Sequence, residues 1–443
     1  MQPETASARP AAGPPPTAVF GALWQLRADP LAFFTRIAGT HGDVVRVRLG
    51  IDDLWVLSNP ADVEQMLIAS HDRYVKDRVT RAMAPVLGQG LLTSDGDGWR
   101  RHRKLCAPSF QPRQIAGYGA TMVDAALRHL PADGPRDLHA DITALTLDIV
   151  LRTLFGSTGD DAGLDRVGPA LAALMTSFER EQRTVWRFVP KWVPGAHRRR
   201  AWKKIDELHA LVLGIVAERR RRPPGDDLLW RLLEARDEDG TGMDDVQVRD
   251  EAMTLFLAGH ETTALALSYA VWQLAAHPEL QDRARAEAEA LGREPTAQDL
   301  GALPFVGAVV KETLRLYPPA WAFGREPTAP VTVGGATIPA GTHVIALPWV
   351  IHRDPRWWRE PAAFRPDRWL GDELRDQPRL AYVPFGAGPR VCIGNHFATM
   401  EIVLVLATWL RHRRFRPVIG FAPTLVPAVT LRPRDGVWVD CGA

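Results

Sequence analysis

The stretch Phe385-Gly386-Ala387-Gly388-Pro389-Arg390-Val391-Cys392-Ile393-Gly394 decides the fold of this chain. Its single cysteine lies among small residues and is followed by a long apolar pattern typical of a helix. Gly386 and Gly388 allow backbone conformations that are closed to other residues, and they have no Cβ to keep a flat ligand away. The positive end of the following helix favours a thiolate over a thiol at Cys392. The sequence therefore predicts a ligating thiolate with open space beside it.

A buried thiolate of this kind is suited to axial ligation of a haem iron. The stretch resembles the haem-binding loop of the cytochrome P-450 family, with its pattern Phe-x-x-Gly-x-Arg-x-Cys-x-Gly, and every fixed position matches. The resemblance implies haem b (iron protoporphyrin IX) as the cofactor and Cys392 as the ligand of its iron. The loop residues that it implies as haem contacts are Phe385, Gly386, Arg390, Cys392 and Gly394.

Length and composition are consistent with a haem-binding chain. A chain of 443 residues can bury a core and enclose a large cofactor. Three cysteines are too few for a disulfide framework, which favours a reducing cytoplasm, and Cys106 and Cys441 are interpreted as small buried side chains. Residues 1–16 are rich in Pro and Ala and have no apolar core, so we predict a disordered tail rather than a signal peptide or membrane anchor. Residues 17–443 are predicted to form one domain.

The pattern along the chain predicts a mainly α fold with a minor β portion. Branched residues indicate strands at Asp43–Leu49 and Asp53–Leu57, and a compact β region is predicted around Pro330–Leu347. Residues 61 to 290 are mainly helical in pattern. A long buried helix is predicted through Ala252–Leu274, and a last helix through Asn395–Leu410. The resemblance implies the cytochrome P-450 fold, with haem between this long distal helix and the cysteine loop.

The long helix contains a polar interruption, Ala258-Gly259-His260-Glu261-Thr262-Thr263. Ala258 and Gly259 thin the helix on one side and leave room for a ligand. Cleavage of iron-bound dioxygen consumes two protons, which an acid and a hydroxyl within hydrogen-bond range can deliver. The pattern resembles the acid–alcohol pair of P-450 monooxygenases, which implies catalytic roles for Glu261 and Thr262 and haem contacts for Ala258 and Gly259. Taken alone, Glu-Thr in a helix also describes a solvated glutamate beside a structural threonine.

Two further arginine patterns support the same resemblance. Glu312 and Arg315 lie three apart on one predicted helix and resemble the family's Glu-x-x-Arg, while Phe364–Arg368 resembles the loop whose arginine completes it. The implied structural triad is Glu312, Arg315 and Arg368. Haem propionates need cations, and the resemblance implies that Arg103, Arg325 and Arg390 supply them, with Trp99 facing the same propionate as Arg103.

The substrate pocket is also implied by the resemblance. Its implied lining is nearly all apolar, which predicts an apolar substrate such as a fatty acid or terpenoid. The predicted substrate contacts are Val86, Leu87, Phe256, Trp321, Phe323 and Val426. The wording Ala-Gly-His-Glu-Thr-Thr is nearest to the fatty-acid hydroxylase-like branch, although terpenoid and polyketide oxidases share it. Arg78 and Arg81 are candidates for a carboxylate anchor.

The resemblance implies a soluble, bacterial type of enzyme that works as a monomer. Its electrons would come from NAD(P)H through a separate ferredoxin or flavodoxin and its reductase. Six cations are predicted to form a basic docking patch for an acidic partner: Arg100, Arg101, Lys104, Arg411, Arg413 and Arg414. A second basic stretch, Gln182–Ile205, is interpreted as a solvated face in preference to a nucleic-acid or membrane footprint.

The predicted function is a haem-thiolate monooxygenase that inserts one oxygen atom from dioxygen into an apolar molecule. A peroxide-driven or rearranging enzyme on the same haem is an alternative, but such members typically alter the acid–alcohol pair that this chain keeps. A non-enzymatic haem-binding protein is a further alternative, and it would have no need of Glu261 and Thr262.

Overall fold

The structure, a computed structural model, describes Gly13, residues 19–49, 52–156 and 196–442, and a few positions between 166 and 177. Apart from Gly13, the predicted disordered tail lies outside the described residues, and so does most of the basic stretch Gln182–Ile205. The chain divides into two compact units. The first comprises residues 1–80 and 311–392, and the second comprises residues 81–310 and 393–443. A single functional domain over residues 17–443 stays a prediction.

The helices of the described residues are α1 Val19–Ala28, α2 Pro30–His41, α3 Pro60–Glu64, α4 Arg78–Arg81, α5 Ala84–Leu87, α6 Gly96–Cys106, α7 Pro112–Ala116, α8 Gly119–Arg128, α9 Leu138–Phe155, α10 Ala196–Arg221, α11 Leu228–Glu234, α12 Asp245–Ala276, α13 Pro278–Glu289, α14 Pro304–Leu316, α15 Pro348–Ile351 and α16 Asn395–His412. The strands are β1 Val44–Leu49, β2 Asp52–Leu57, β3 Tyr74–Lys76, β4 Gly134–Asp137, β5 Phe323–Pro327, β6 Val331–Val333, β7 Ala336–Ile338, β8 His343–Ala346, β9 Arg414–Pro417, β10 Leu425–Pro427, β11 Leu431–Pro433 and β12 Trp438–Gly442.

The first unit is built around a five-stranded sheet with the order β1-β2-β8-β5-β3. Strands β2 and β8 pair in parallel, and the other neighbours pair antiparallel. Apolar side chains of β1 and β2 alternate into a core with α2, while β8 and the β6–β7 hairpin contribute to a second cluster. At the turn between β6 and β7, Gly334 and Gly335 both adopt positive φ, which glycine tolerates without strain. The predicted early strands and compact β region are thus confirmed.

The second unit is helical and has α12 at its centre. Asp244 caps this helix by accepting a hydrogen bond from the Gln247 amide at 2.8 Å, and the helix then continues to Ala276. It packs against α9 and α10, and also against α16. Most of its side chains are buried on every face, as expected for a helix that is apolar all round. The predicted long helix and last helix are confirmed, and α16 extends to His412.

The mainly α fold with a minor β portion is confirmed, with small exceptions inside the segment predicted to be helical. The strands β3 and β4 have only three and four residues, too few to show a periodic pattern. They exist because they pair with distant partners, β3 with β5 and β4 with β12. Among the described residues, none of the helices is long and apolar enough to cross a membrane.

Candidate active site

The cysteine loop closes on itself through its backbone. The Cys392 amide donates to the Phe385 carbonyl at 2.9 Å, and a short helical turn spans Gly388–Arg390. Gly386 and Gly388 both have φ of +69°. A Cβ at Gly388 would lie 2.1 Å from the carbonyl oxygen of Leu67, so only glycine fits this position. The Cys392 thiol is exposed, so the burial expected from the sequence is wrong; the glycines beside it have no side chains to cover it.

The glycines on either side of the cysteine in sequence, Gly386 and Gly394, face open space. A Cβ built on Gly386 would have its nearest neighbour, Phe323, at 3.9 Å, and one built on Gly394 would have Phe110 at 4.0 Å. Gly394 is the N-cap of α16, so helix amides begin immediately after the loop. An exposed thiol, bare backbone on both sides and a helix N-terminus together fit a flat cofactor ligated by a thiolate. The residues present therefore fit haem.

The polar interruption of α12 forms an accessible notch in the buried middle of the helix. Ala258 is exposed, while Phe256, Leu257 and His260 on either side of it are buried. The Thr262 hydroxyl donates to the Ala258 carbonyl at 2.6 Å, one turn earlier. This bond satisfies the Thr262 hydroxyl within its own helix.

The Glu261 side chain is held by two residues that the sequence analysis missed. Its Oε1 accepts a hydrogen bond from the Thr430 hydroxyl at 2.7 Å and another from Arg432 Nε at 2.5 Å. Burial raises the pKa of Glu261, but the hydrogen bonds and charge of Arg432 outweigh it and hold the pKa below its usual value. The predicted acid is therefore an ionised carboxylate in this arrangement. No local pattern could reveal the two partners, because 169 and 171 residues separate them from Glu261.

The two predicted propionate cations of the first unit are Arg325 on β5 and Arg390 in the cysteine loop. Both are partly buried, and Arg325 also donates to the Gly324 carbonyl at 2.7 Å. In the second unit, Trp99 and Arg103 lie four apart on α6, so their side chains share one helix face. Trp99 is buried and Arg103 partly buried. Contact of these four with propionates stays a prediction.

The structure brings Glu312, Arg315 and Arg368 together, with no side chain of the three exposed. Arg315 donates to both carboxylate oxygens of Glu312, at 2.9 and 2.7 Å, and Arg368 donates to one of them at 3.1 Å. Trp369 Nε1 adds a further bond to Glu312 at 2.9 Å. Other N–H groups of the two arginines donate to backbone carbonyls of the 352–363 segment. The buried charges are thus fully paired, which is the condition for tolerating them.

Comparison with known proteins shows the family to which this chain belongs. The family model described as Cytochrome P450 (written P-450 here) matches residues 11–426. The chain belongs to the cytochrome P-450 family. Cyclooctat-9-en-7-ol 5-monooxygenase of Streptomyces melanosporofaciens is 35% identical over 90% of this chain and 87% of its own length. Pentalenene oxygenase of Streptomyces avermitilis is 32% identical over 94% of this chain and 91% of its own length.

A solved structure supports the same assignment. The haem domain of cytochrome P-450DA superposes with a TM-score of 0.88 at 27% identity, over 98% of each chain. This P-450 therefore has the fold predicted from its cysteine loop, and it is a monooxygenase that carries haem.

The predicted substrate contacts of this P-450 fall into two groups. Leu87 and Phe256 have no exposed surface. The ring of Phe256 packs against that of Phe155, with the ring centroids 6.3 Å apart. Val86 is also nearly inaccessible at 5%. All three belong to one apolar cluster of the core, and their contact with a substrate stays a prediction. The partly exposed members are Trp321, Phe323 and Val426.

A neutral histidine contacts the backbone of Arg315 in the triad of this P-450. His352 Nε2 accepts a hydrogen bond from the Val383 amide at 2.9 Å, and its Nδ1 lies 3.2 Å from the Arg315 carbonyl, so Nδ1 carries the proton. Burial, together with the charges of Arg315 and Arg353, lowers the pKa of His352 from 6.5 to about 3.

This histidine predicts a dependence of stability on pH. Because the folded pKa is depressed, the stabilisation is complete above pH 6.5, and it is lost as pH falls from 6.5 towards 3. The slope of the unfolding free energy should approach about 1.4 kcal/mol per pH unit in this window. We expect His352→Gln, whose carbonyl can still accept from Val383, to show a shallower slope between pH 6.5 and about 5 in urea unfolding. Equal slopes would contradict the assignment.

Proposed function

We propose that this P-450 hydroxylates a cyclic terpenoid. The observation that carries the proposal is that relatives matching nearly the whole chain are oxygenases named for cyclooctat-9-en-7-ol and pentalenene. The accessible predicted contacts, Trp321, Phe323 and Val426, are apolar and suit a hydrocarbon skeleton. Arg78, a candidate carboxylate anchor, is paired with Asp52 at 3.1 Å, which favours a terpenoid over a fatty acid.

The reaction consumes the substrate, dioxygen, two electrons and two protons, and it gives an alcohol and water. Haem b, when bound, would supply the chemistry that activates dioxygen. Cys392 would ligate the iron, with Phe385, Gly386 and Gly394 forming the surface beside it. Thr262 would present its hydroxyl to oxygen at the notch, beside the bare backbone of Ala258 and Gly259.

Glu261 would bring protons to the notch from solvent, with Thr262 as the next group. Its carboxylate is bonded towards Thr430 and Arg432 in the structure, so it must turn before it can serve that route. Propionate binding is assigned to Trp99, Arg103, Arg325 and Arg390 within the same proposal.

Members of this family take electrons from redox partners, and we propose NAD(P)H with a ferredoxin or flavodoxin and its reductase for this chain. The predicted docking patch is partly neutralised. Arg101 pairs with Asp237 at 3.0 Å, and Lys104 pairs with Glu238 at 2.5 Å. Arg414 likewise pairs with Asp282. The steering field of this patch is therefore weaker than its cation count suggests.

The remaining parts of the proposal concern the state and place of the protein. The thiols of Cys106 and Cys441 are free and buried, which agrees with a reducing cytoplasm. We propose that the protein works there as a monomer.

The substrate class is tested by titrating the ferric protein with pentalenene, cyclooctat-9-en-7-ol and a long-chain fatty acid while recording the Soret band. We expect a high-spin shift that saturates with at least one terpenoid and is weaker with the fatty acid, since a fitting hydrocarbon displaces water from the iron. A shift with the fatty acid alone would overturn the terpenoid proposal and return the fatty-acid reading.

A further inference from the structure

The two donors that hold Glu261 belong to one small hairpin of the second unit. Thr430 immediately precedes β11, and Arg432 is the middle residue of that strand. Thr430 is buried at 8%, and the side chains of Glu261 and Arg432 are 18% and 26% exposed. The ion pair is thus largely screened from water, where a charge-assisted hydrogen bond is stronger than on an open surface.

The hairpin places a predicted substrate contact beside the ion pair. In the register of β10 and β11, Val426 lies directly opposite Arg432. Directly opposed residues of an antiparallel pair carry their side chains on the same face, with Cβ atoms about 5 Å apart. A ligand that touches the Val426 side chain therefore approaches the face of the hairpin that carries Arg432.

The hairpin is small and is held by bonds to α12. Each of its strands has three residues, and a two-stranded ribbon of this size is marginally stable by itself. Its position depends on α12, to which it is joined by the Glu261 bonds and by the Tyr269 hydroxyl donating to the Leu431 carbonyl at 3.0 Å. The Tyr269 bond fixes the backbone of β11 one residue before Arg432, so the side chain of Arg432 can move while the strand stays attached.

We propose that Arg432 and Thr430 hold the Glu261 side chain by hydrogen bonds until a substrate against Val426 breaks the pair, so that proton delivery follows occupation of the pocket. This rests on the proposed function, since it uses the proton role of Glu261. Arg432 is a positioning residue in this scheme and touches neither oxygen nor substrate carbon. Empty enzyme would then lack its proton donor and would be protected from wasting reducing equivalents.

The proposal predicts how pentalenene affinity responds to loss of the pair. Substrate binding to the wild type must break the bond, whereas Arg432→Met and Glu261→Gln have no ion pair to break. We expect each variant to bind pentalenene about two- to tenfold more tightly in the Soret titration, which is the range of one net hydrogen bond. The double variant should gain no more than either single one, and Arg432→Lys should resemble the wild type.

A second measurement, the rate of NAD(P)H oxidation, tests the proton delivery. Without substrate, Arg432→Met should oxidise NAD(P)H several-fold faster than the wild type, because Glu261 is released. Adding Glu261→Gln to this variant should restore the slow rate. A merely structural pair would give neither result, since its loss would loosen the hairpin and weaken binding.

The outcomes separate the two claims. Pentalenene affinity that is unchanged or weaker in both single variants, or effects that add in the double variant, would overturn the role of Arg432 and leave the proposed function intact. Absence of any terpenoid shift in the wild type would overturn the proposed substrate class and this inference together. The affinity comparison does not require Glu261 to move protons, so unchanged coupling in Glu261→Gln would overturn the proton route alone.

Discussion

Replacement of Cys392 by serine is expected to abolish monooxygenase activity while the chain still folds. The loop is closed by the Cys392 amide and by the positive-φ glycines, none of which involves the sulfur. Serine keeps those features but cannot supply a thiolate to the iron, and the thiolate is what favours cleavage of the oxygen–oxygen bond. We expect the reduced carbonyl complex to lose the red-shifted Soret band of thiolate ligation, with product formation falling below detection.

The other two cysteines provide matched controls. Burial raises the pKa of Cys106 well above its ordinary value, with the charge of Glu251 adding to the effect. Burial likewise raises the pKa of Cys441 to about 12. Neither is a thiolate at neutral pH, so Cys106→Ala and Cys441→Ala should keep the spectrum and the activity. Loss of the thiolate band in either control, or its survival in Cys392→Ser, would show that the iron ligand is misassigned.

Glu312→Ala is expected to lower the free energy of unfolding by about 3–5 kcal/mol, because it removes the carboxylate that pairs with the buried Arg315 guanidinium. Arg315 and Arg368 have no exposed side-chain surface, and both would lose their bonds to Glu312, while Arg368 would keep its pair with Glu373 at 2.8 Å. Urea unfolding followed by far-UV circular dichroism measures this loss. Haem content should fall with it, since the segments that the two arginines join are neighbours of the cysteine loop in sequence.

The chain offers a matched surface pair for comparison. Asp372 and Arg375 have the same spacing and order as Glu312 and Arg315, but their side chains are 79% and 70% exposed. Asp372→Ala should therefore cost less than about 1 kcal/mol. If the two alanine variants lost equal stability, burial of the triad would not be the source of its effect.

Some features were predictable because they are local in sequence. The cysteine loop is one contiguous stretch in which the ligand, the glycines and the following helix appear together. The cap of α12 is also local, because Asp244 accepts a hydrogen bond from the amide of Gln247, three residues later. Both cases depend on contacts within a few residues.

Other features depend on contacts that sequence spacing does not show. Arg432 reaches Glu261 across 171 residues, so the predicted acid is an ion-paired carboxylate. Arg101 and Lys104 were read as free cations, whereas the 237–242 segment folds against them and supplies Asp237 and Glu238. In both cases the charged side chain has no partner nearby in sequence, and its partner is brought to it by the tertiary structure.

The central claim is that one atom of dioxygen enters a terpenoid. Its most direct test is turnover of the bound terpenoid with NAD(P)H and a ferredoxin system under isotopically heavy dioxygen, with mass analysis of the alcohol. The account predicts that the product carries one heavy oxygen atom, and that peroxide cannot replace dioxygen and NAD(P)H at a comparable rate. Product oxygen derived from water, or turnover sustained by peroxide alone, would contradict it.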